Sequence, residues 1–247
     1  MRKLVAILSC SVAALLAGCG SDSIHNSFSA YRNQTAAQLY HSSKEDLLKG
    51  HDDRAVKRLE ALNALYPFGE YAESGLINLT YAYYKDDENE EAMATAERYL
   101  RLYPEGQYAD YAYYMRGVIA FTEGFTWLQR KVGINPAPMD ESNLKGAYES
   151  FDQLVHTFPN SPYVSDSLSR MRYIRNLFAE KEAGIAKFYY DRKAYVAAIN
   201  RASEVVAHYD RTPSMIPALK IMMKSYRHLG MTTKANNTQK ILQANTK

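Results

Sequence analysis

The chain has 247 residues, 30 Lys and Arg against 27 Asp and Glu, and two cysteines, Cys10 and Cys19. That length is ample to bury a core, while two cysteines exclude a disulfide framework. The formal net charge of +3 conceals a division: residues 19–167 carry 13 Lys/Arg against 22 Asp/Glu, and residues 168–247 carry 15 against 5. Such asymmetry between halves predicts distinct surfaces.

The chain opens with Arg2 and Lys3, followed by a 13-residue apolar stretch, Leu4 to Leu16, softened by Ser9, Cys10 and Ser11. A lasting membrane-spanning helix needs about 20 residues, so residues 1–18 read as a secretory signal peptide. The stretch ends Leu16-Ala17-Gly18-Cys19, the lipobox pattern of bacterial lipoproteins. Small residues there admit the peptidase, cleavage falls between Gly18 and Cys19, and the Cys19 thiol receives the diacylglycerol. Several acyl chains, each buried CH₂ worth about 0.8 kcal/mol, make a permanent anchor. The covalent lipid on Cys19 is the only attached group expected, with no cofactor and no metal. Cys10 leaves with the signal, so the mature protein has no internal disulfide. Gly20 stands where a lipoprotein retained at the inner membrane usually has Asp, which favours the outer membrane with the body in the periplasm. Export removes nucleic acid as a partner for the basic half and favours a partner with an acidic face.

Residues 19–36, the lipidated cysteine and a Ser-, Asn- and Gln-rich stretch, are expected to form a flexible tether. Beyond it, repeats dominate. Tyr66-Pro67-Phe68-Gly69-Glu70-Tyr71-Ala72, Tyr103-Pro104-Glu105-Gly106-Gln107-Tyr108-Ala109 and Phe158-Pro159-Asn160-Ser161-Pro162-Tyr163-Val164 share one pattern. Each Pro stops the preceding helix, and the Tyr opens the next. A small residue marks the helical runs: Ala55, Ala92, Ala147, Ala198 and Ala235. Leu59, Ala96, Phe151, Ala202 and Gln239 follow at +4, and Leu62, Tyr99, Leu154, Val205 and Leu242 at +7. These offsets share one helical face. The marker spacings of 37, 55, 51 and 37 residues approach the tetratricopeptide period of about 34 with two insertions. The first insertion, Trp127 to Asp140, reads as a loop. The second belongs to one long helix from Tyr163 to Tyr190.

The fold expected is therefore an all-α, tetratricopeptide-type helix–turn–helix solenoid of about five repeats and ten helices. Repeats 1–3 occupy 37–161, the long connecting helix 162–190, and repeats 4–5 191–247. In such solenoids the first helices line a binding surface. Aligned on one another, they place Ser74, Ile77, Tyr81 and Tyr84 opposite Tyr111, Tyr114, Val118 and Phe121, the candidate groove for a client peptide. Most other tyrosines read as gap-filling rings with a wet hydroxyl. No catalytic constellation emerges: the six histidines lack ligand spacing, and there is no Gly-x-Ser-x-Gly elbow. The run Asp86-Asp87-Glu88-Asn89-Glu90-Glu91 fits a helix N-terminus, and the protein is expected not to be an enzyme.

The segments Glu60-Ala61-Leu62-Asn63-Ala64-Leu65-Tyr66-Pro67-Phe68-Gly69 and Leu79-Thr80-Tyr81-Ala82-Tyr83-Tyr84-Lys85 resemble the BamD family, outer-membrane lipoproteins of the β-barrel assembly machine. Tyr114-Met115-Arg116-Gly117, Lys187-Phe188-Tyr189-Tyr190 and Ala194-Tyr195-Val196-Ala197-Ala198-Ile199-Asn200-Arg201 extend the likeness from the lipobox to about Gln243. The resemblance implies a scaffold subunit that helps insert β-barrel proteins. Its N-terminal repeats would read unfolded outer-membrane proteins, and its C-terminal repeats would bind the central barrel subunit and accessory lipoproteins. It also implies a barrel-subunit contact at Asn200 and Arg201. The loop of repeat three reads Asn135-Pro136-Ala137-Pro138-Met139-Asp140 where relatives often carry an Arg-Asp pair. The residues by themselves leave open an adaptor lipoprotein for peptidoglycan or cell-division enzymes.

Overall fold

A computed structural model describes residues 28–123 and 141–246. The signal segment, Cys19 and the expected loop Trp127 to Asp140 lie outside these residues. Among them the fold is all-α, with a 3₁₀ turn at Ser29–Tyr31 and ten helices. These are α1 (Ala36–Leu48), α2 (Asp52–Leu65), α3 (Ala72–Lys85), α4 (Asn89–Leu102) and α5 (Ala109–Glu123). They continue as α6 (Glu141–Thr157), α7 (Val164–Asp191), α8 (Tyr195–His208), α9 (Met215–His228) and α10 (Thr232–Ala244). In chain order they alternate as first and second helices of helix–turn–helix units, the tetratricopeptide-type arrangement.

Two linker designs alternate along the chain. Within four pairs a single residue takes the left-handed backbone: Gly50 (φ 71°), Asp87 (φ 62°), Lys193 (φ 61°) and Gly230 (φ 69°). The next N–H, of His51, Glu88, Ala194 or Met231, then returns to the carbonyl of Asp46, Tyr83, Tyr189 or Tyr226 at 2.9–3.0 Å. Such a bond satisfies a carbonyl that the helix end would otherwise leave open. Between pairs, six residues serve each time: 66–71, 103–108, 158–163 and 209–214. Each begins with an aromatic residue, Tyr66, Tyr103, Phe158 or Tyr209. Its N–H closes the preceding helix on the carbonyl of Leu62, Tyr99, Leu154 or Val205 at 2.8–3.0 Å.

The marker residues form the core. Ala55, Ala92, Ala147 and Ala198 have no exposed surface, and Ala235 has 1%. Leu59, Ala96, Phe151 and Ala202 at +4 are buried, as are Leu62, Tyr99, Leu154 and Val205 at +7. In the last pair Gln239 and Leu242 are only half-buried.

The chain folds as two compact units, one through Glu88 and one from Asn89. In the first, α2 packs on both α1 and α3. Buried Asp46 of α1 accepts the Arg58 Nε of α2 at 2.7 Å, and the Tyr83 hydroxyl of α3 donates to Glu60 at 2.7 Å. Composition predicts a flexible tether to residue 36, but residues 28–35 are ordered. The Tyr66 hydroxyl donates to the Gln34 carbonyl at 2.8 Å, and Thr35 and Gln38 close a capping box on α1. In the second unit each helix from α4 to α10 packs on the next, and α7 also meets α9. Ala179, Ala183 and Ala186 of the 28-residue α7 share a cluster with Ala202, Val205 and Ala218.

Helix contact leaves no room at Gly117 of α5. A Cβ there would stand 2.5 Å from the Phe151 ring of α6. Gly146, inside α6, has nothing within 4 Å of a built Cβ. Gly117→Ala should therefore lower stability by about 1–3 kcal/mol through overpacking, whereas Gly146→Ala should raise it by about 0.5–1 kcal/mol. Thermal unfolding followed by circular dichroism checks both, and opposite signs are the expected result.

Candidate functional site

The eight candidate groove residues divide between the two units, four on α3 and four on α5. Offsets of three and four residues put each quartet on one helical face. On α3, Ser74, Tyr81 and Tyr84 are half-buried, while Ile77 is 3% exposed. On α5, Tyr111, Tyr114 and Phe121 are half-buried, while Val118 is 6% exposed. Ile77 and Val118 are thus core residues beneath the tyrosines and do not line a groove. This corrects the sequence reading. The spacing identifies the face but cannot show how deep its aliphatic member sinks once the neighbouring helix packs.

Around α5 the tyrosines join residues that the sequence reading missed. The Tyr114 ring stacks on Tyr163, which ends the linker before α7, with centroids 4.7 Å apart and planes at 20°. Tyr111 lies 5.2 Å from Tyr163 and 6.3 Å from Tyr114. The Tyr114 hydroxyl donates to Asp166 Oδ2 at 2.9 Å. Arg170 Nε donates to the same oxygen at 2.6 Å, and its guanidinium lies 5.1 Å from the centre of the Phe121 ring. Phe121 meets Tyr173 edge-on at 6.0 Å. The result is a surface of tyrosine rings with a carboxylate and a guanidinium at its edge. One sequence signal could have found Asp166: it lies two residues into its helix, as Ser74 and Tyr111 do in theirs.

Electrostatics bind this group together. Burial, then the bond to Asp166, raises the Tyr114 pKa, and burial with the Asp110 charge raises that of Tyr163. Burial alone would raise the Asp166 pKa, but the donors Arg170 and Tyr114 outweigh it and hold the carboxyl below its ordinary value.

The Arg201 site lies elsewhere in the second unit. Ala198, Ala202 and Val205 face the core of α8, which turns Arg201 toward α7. There its Nη1 donates to Glu182 at 3.2 Å, with the arginine side chain 47% exposed and the glutamate 20%. Helical geometry thus places Arg201 off the core as expected, but it is paired within the chain. Glu182, Tyr189, Ala197, Asn200, Arg201, Glu204 and Tyr209 line a cleft of about 420 Å³. Burial, then the nearby carboxylates with Glu182 first, raises the Tyr209 pKa.

The family described as outer membrane lipoprotein, YfiO, matches residues 32–242. The chain belongs to this family. It is 34% identical to the outer membrane protein assembly factor BamD of Haemophilus influenzae over 99% of this chain and 92% of that protein. The BamD of Neisseria meningitidis serogroup A is 31% identical over 99% and 91%, and that of Vibrio cholerae 35% over 85% and 87%. Among solved structures, a Podosopora anserina putative kinesin light chain with TPR-like repeats is similar at 13% identity and a TM-score of 0.39, covering 87% of this chain and 99% of that one. The stretch that matches the YfiO family contains both tyrosine faces and the Arg201 cleft.

The hydroxyl and the ring of Tyr114 are separable. Tyr114→Phe keeps the stack on Tyr163 and should cost about 1 kcal/mol or less. Tyr114→Ala loses a half-buried ring and should cost roughly 2 kcal/mol. Because the folded Asp166 pKa is lowered, its stabilisation is fully present above the unfolded value of about 4 and lost as pH falls through the folded value. The stability gap between wild type and Asp166→Asn should therefore be largest at neutral pH and close on acidification. Denaturant melts across pH check this, and a gap that widens in acid would contradict it.

Proposed function

We infer that the chain is a lipid-anchored scaffold subunit of the outer-membrane protein assembly machinery, held at the outer membrane through Cys19 with its helical body in the periplasm. Family membership over residues 32–242 carries this reading, and Leu16-Ala17-Gly18-Cys19 supplies the attachment. No helix among the described residues is long and apolar enough to cross a membrane. The acyl chains on Cys19 are the anchor in this reading, and the protein acts by binding and holding partners, without catalysis.

The C-terminal repeats bind the central barrel subunit and accessory lipoproteins, with Asn200 and Arg201 at the barrel-subunit contact. A guanidinium offers five N–H donors, and Glu182 engages one nitrogen of Arg201. The remaining donors can face a carboxylate or backbone carbonyl of the partner across the cleft. The N-terminal repeats read unfolded β-barrel clients. A client segment ending in an aromatic residue can lay its ring against Tyr111, Tyr114 and Tyr163, each such stacking pair being worth about 0.5–1.5 kcal/mol beyond area burial. Tyr81 and Tyr84 give α3 a tyrosine face of its own.

Cys19→Ser should release the body into the periplasm, and a variant that stays in washed outer membranes lacking its partners would contradict the anchor. Arg201→Ala should change folding stability by about 1 kcal/mol or less, as for other exposed ion pairs. It should nonetheless reduce recovery of the barrel subunit from gently solubilised envelopes. Undiminished recovery would remove Arg201 from the contact. Recovery of a peptidoglycan enzyme in place of the barrel subunit by the wild type would overturn the assembly reading as a whole.

A further inference from the structure

The last helical pair carries a surface that neither the tyrosine faces nor the Arg201 cleft uses. From Arg211 to the C-terminus the sequence holds seven Lys and Arg and no Asp or Glu. Three of them, Lys220, Lys224 and Arg227, stand at i, i+4 and i+7 of α9, and all are exposed. The buried residues of that helix, Ala218, Leu219 and Ser225, define the opposite face. The row of cations runs about 10 Å along the helix axis.

Nothing in the described residues neutralises this row. Arg227 donates Nη2 to the uncharged Gln239 side chain at 2.8 Å, and Lys220 and Lys224 have no carboxylate in ion-pair reach. Other cations of the same unit are paired: Arg170 with Asp166, Arg175 with Asp210, Lys187 with Asp191 and Arg201 with Glu182. Like charges one turn apart destabilise a helix, and of the three only Arg227, in the last turn of α9, gains from the helix dipole.

We propose that Lys220, Lys224 and Arg227 form a docking surface for an acidic segment of another protein, with carboxylates spaced about one helical turn apart. Membrane docking generally combines cations with apolar side chains that enter the headgroup region. On this face the large apolar side chains beside the cations, Ile216 and Met223, are part-buried, and neither is freely exposed. The exposed apolar residues nearby are elsewhere, Leu229 and Met231 after the end of α9 and Ile241 on α10. The planar fork of Arg227 suits a carboxylate, and its bond to Gln239 fixes its direction. The surface is separate from the Arg201 contact and does not depend on it.

The test titrates a dye-labelled helical peptide, with glutamate at every fourth position, against the full-length lipidated protein in non-ionic detergent. Wild-type binding should weaken as salt is raised. The variant Lys220→Glu/Lys224→Glu/Arg227→Glu should bind about tenfold more weakly or worse, three exposed ion pairs together supplying a factor of that order. The triple Gln variant should fall between the two and covers the case in which the Glu variant folds poorly. A peptide with lysine in place of glutamate should bind the Glu variant and ignore the wild type. Lys44→Glu/Lys85→Glu/Arg98→Glu, which makes the same charge change elsewhere, should leave binding intact. The proposal is overturned if the triple variants bind the acidic peptide as wild type does, or if the control variant loses as much. It also falls if the row instead governs binding to phosphatidylethanolamine vesicles containing about one-fifth phosphatidylglycerol.

Discussion

Each even-numbered helix from α2 to α10 buries a small side chain early in its run, and the rest of the architecture follows from that constraint. Ala55, Ala92, Ala147, Ala198 and Ala235 have at most 1% exposed surface. A larger side chain at any of them would have to displace packed neighbours, because packed interiors have no slack for it. With that position filled by a methyl group, the residues at +4 and +7 complete the same buried face. The carbonyl of the +7 residue then receives the N–H of the aromatic residue that opens the next linker. One helical face thus specifies the core and the exit of the chain together. Gly75 and Gly117 apply the same constraint from the first helices, facing Leu62 and Phe151 at distances that admit no Cβ.

The helical pairs were legible in the sequence because this constraint leaves a periodic trace. Alanine followed by core residues at +4 and +7 repeats four times, and aromatic-Pro marks three of the four linkers between pairs. The fourth, Tyr209 to Ser214, was missed because Asp210 stands where the others have proline. Its backbone does the same work, since the Tyr209 N–H closes α8 with or without that ring. The turns within pairs were illegible for a related reason. Their left-handed residue is glycine at positions 50 and 230 but Asp87 and Lys193 in the other two, so no single residue type marks all four. The ordering of residues 28–35 depends on Tyr66, some thirty residues away, and local composition carries no trace of a long-range hydrogen bond.

The sites were less legible than the scaffold. Spacing within a helix identified the tyrosine faces but could not separate Ile77 and Val118, which sink into the core, from the rings that remain accessible. Asp166 and Arg170 escaped notice because their partners Tyr114 and Phe121 lie on another helix, and sequence periodicity reports only what one helix shares with itself. The Arg201–Glu182 pair was hidden in the same way. Its residues are 19 apart in sequence and meet because α7 and α8 fold back on each other.

Helix α7 connects these observations. Asp166 lies in its first turn beside the α5 tyrosines, and Glu182 lies 16 residues later beside Arg201. At 1.5 Å per residue the two surfaces are about 24 Å apart along one continuous helix. The alanines at 179, 183 and 186 lock its far half onto α8 and α9. A ligand on the tyrosine face and a partner in the cleft would therefore be held at a fixed separation by a single element. Moving either surface relative to the other would mean breaking its side-chain contacts with α7, Tyr114–Asp166 at one end or Arg201–Glu182 at the other. In the proposed assembly role, that rigidity is what a scaffold needs: a client bound at one end is kept at a set distance and orientation from the subunit bound at the other.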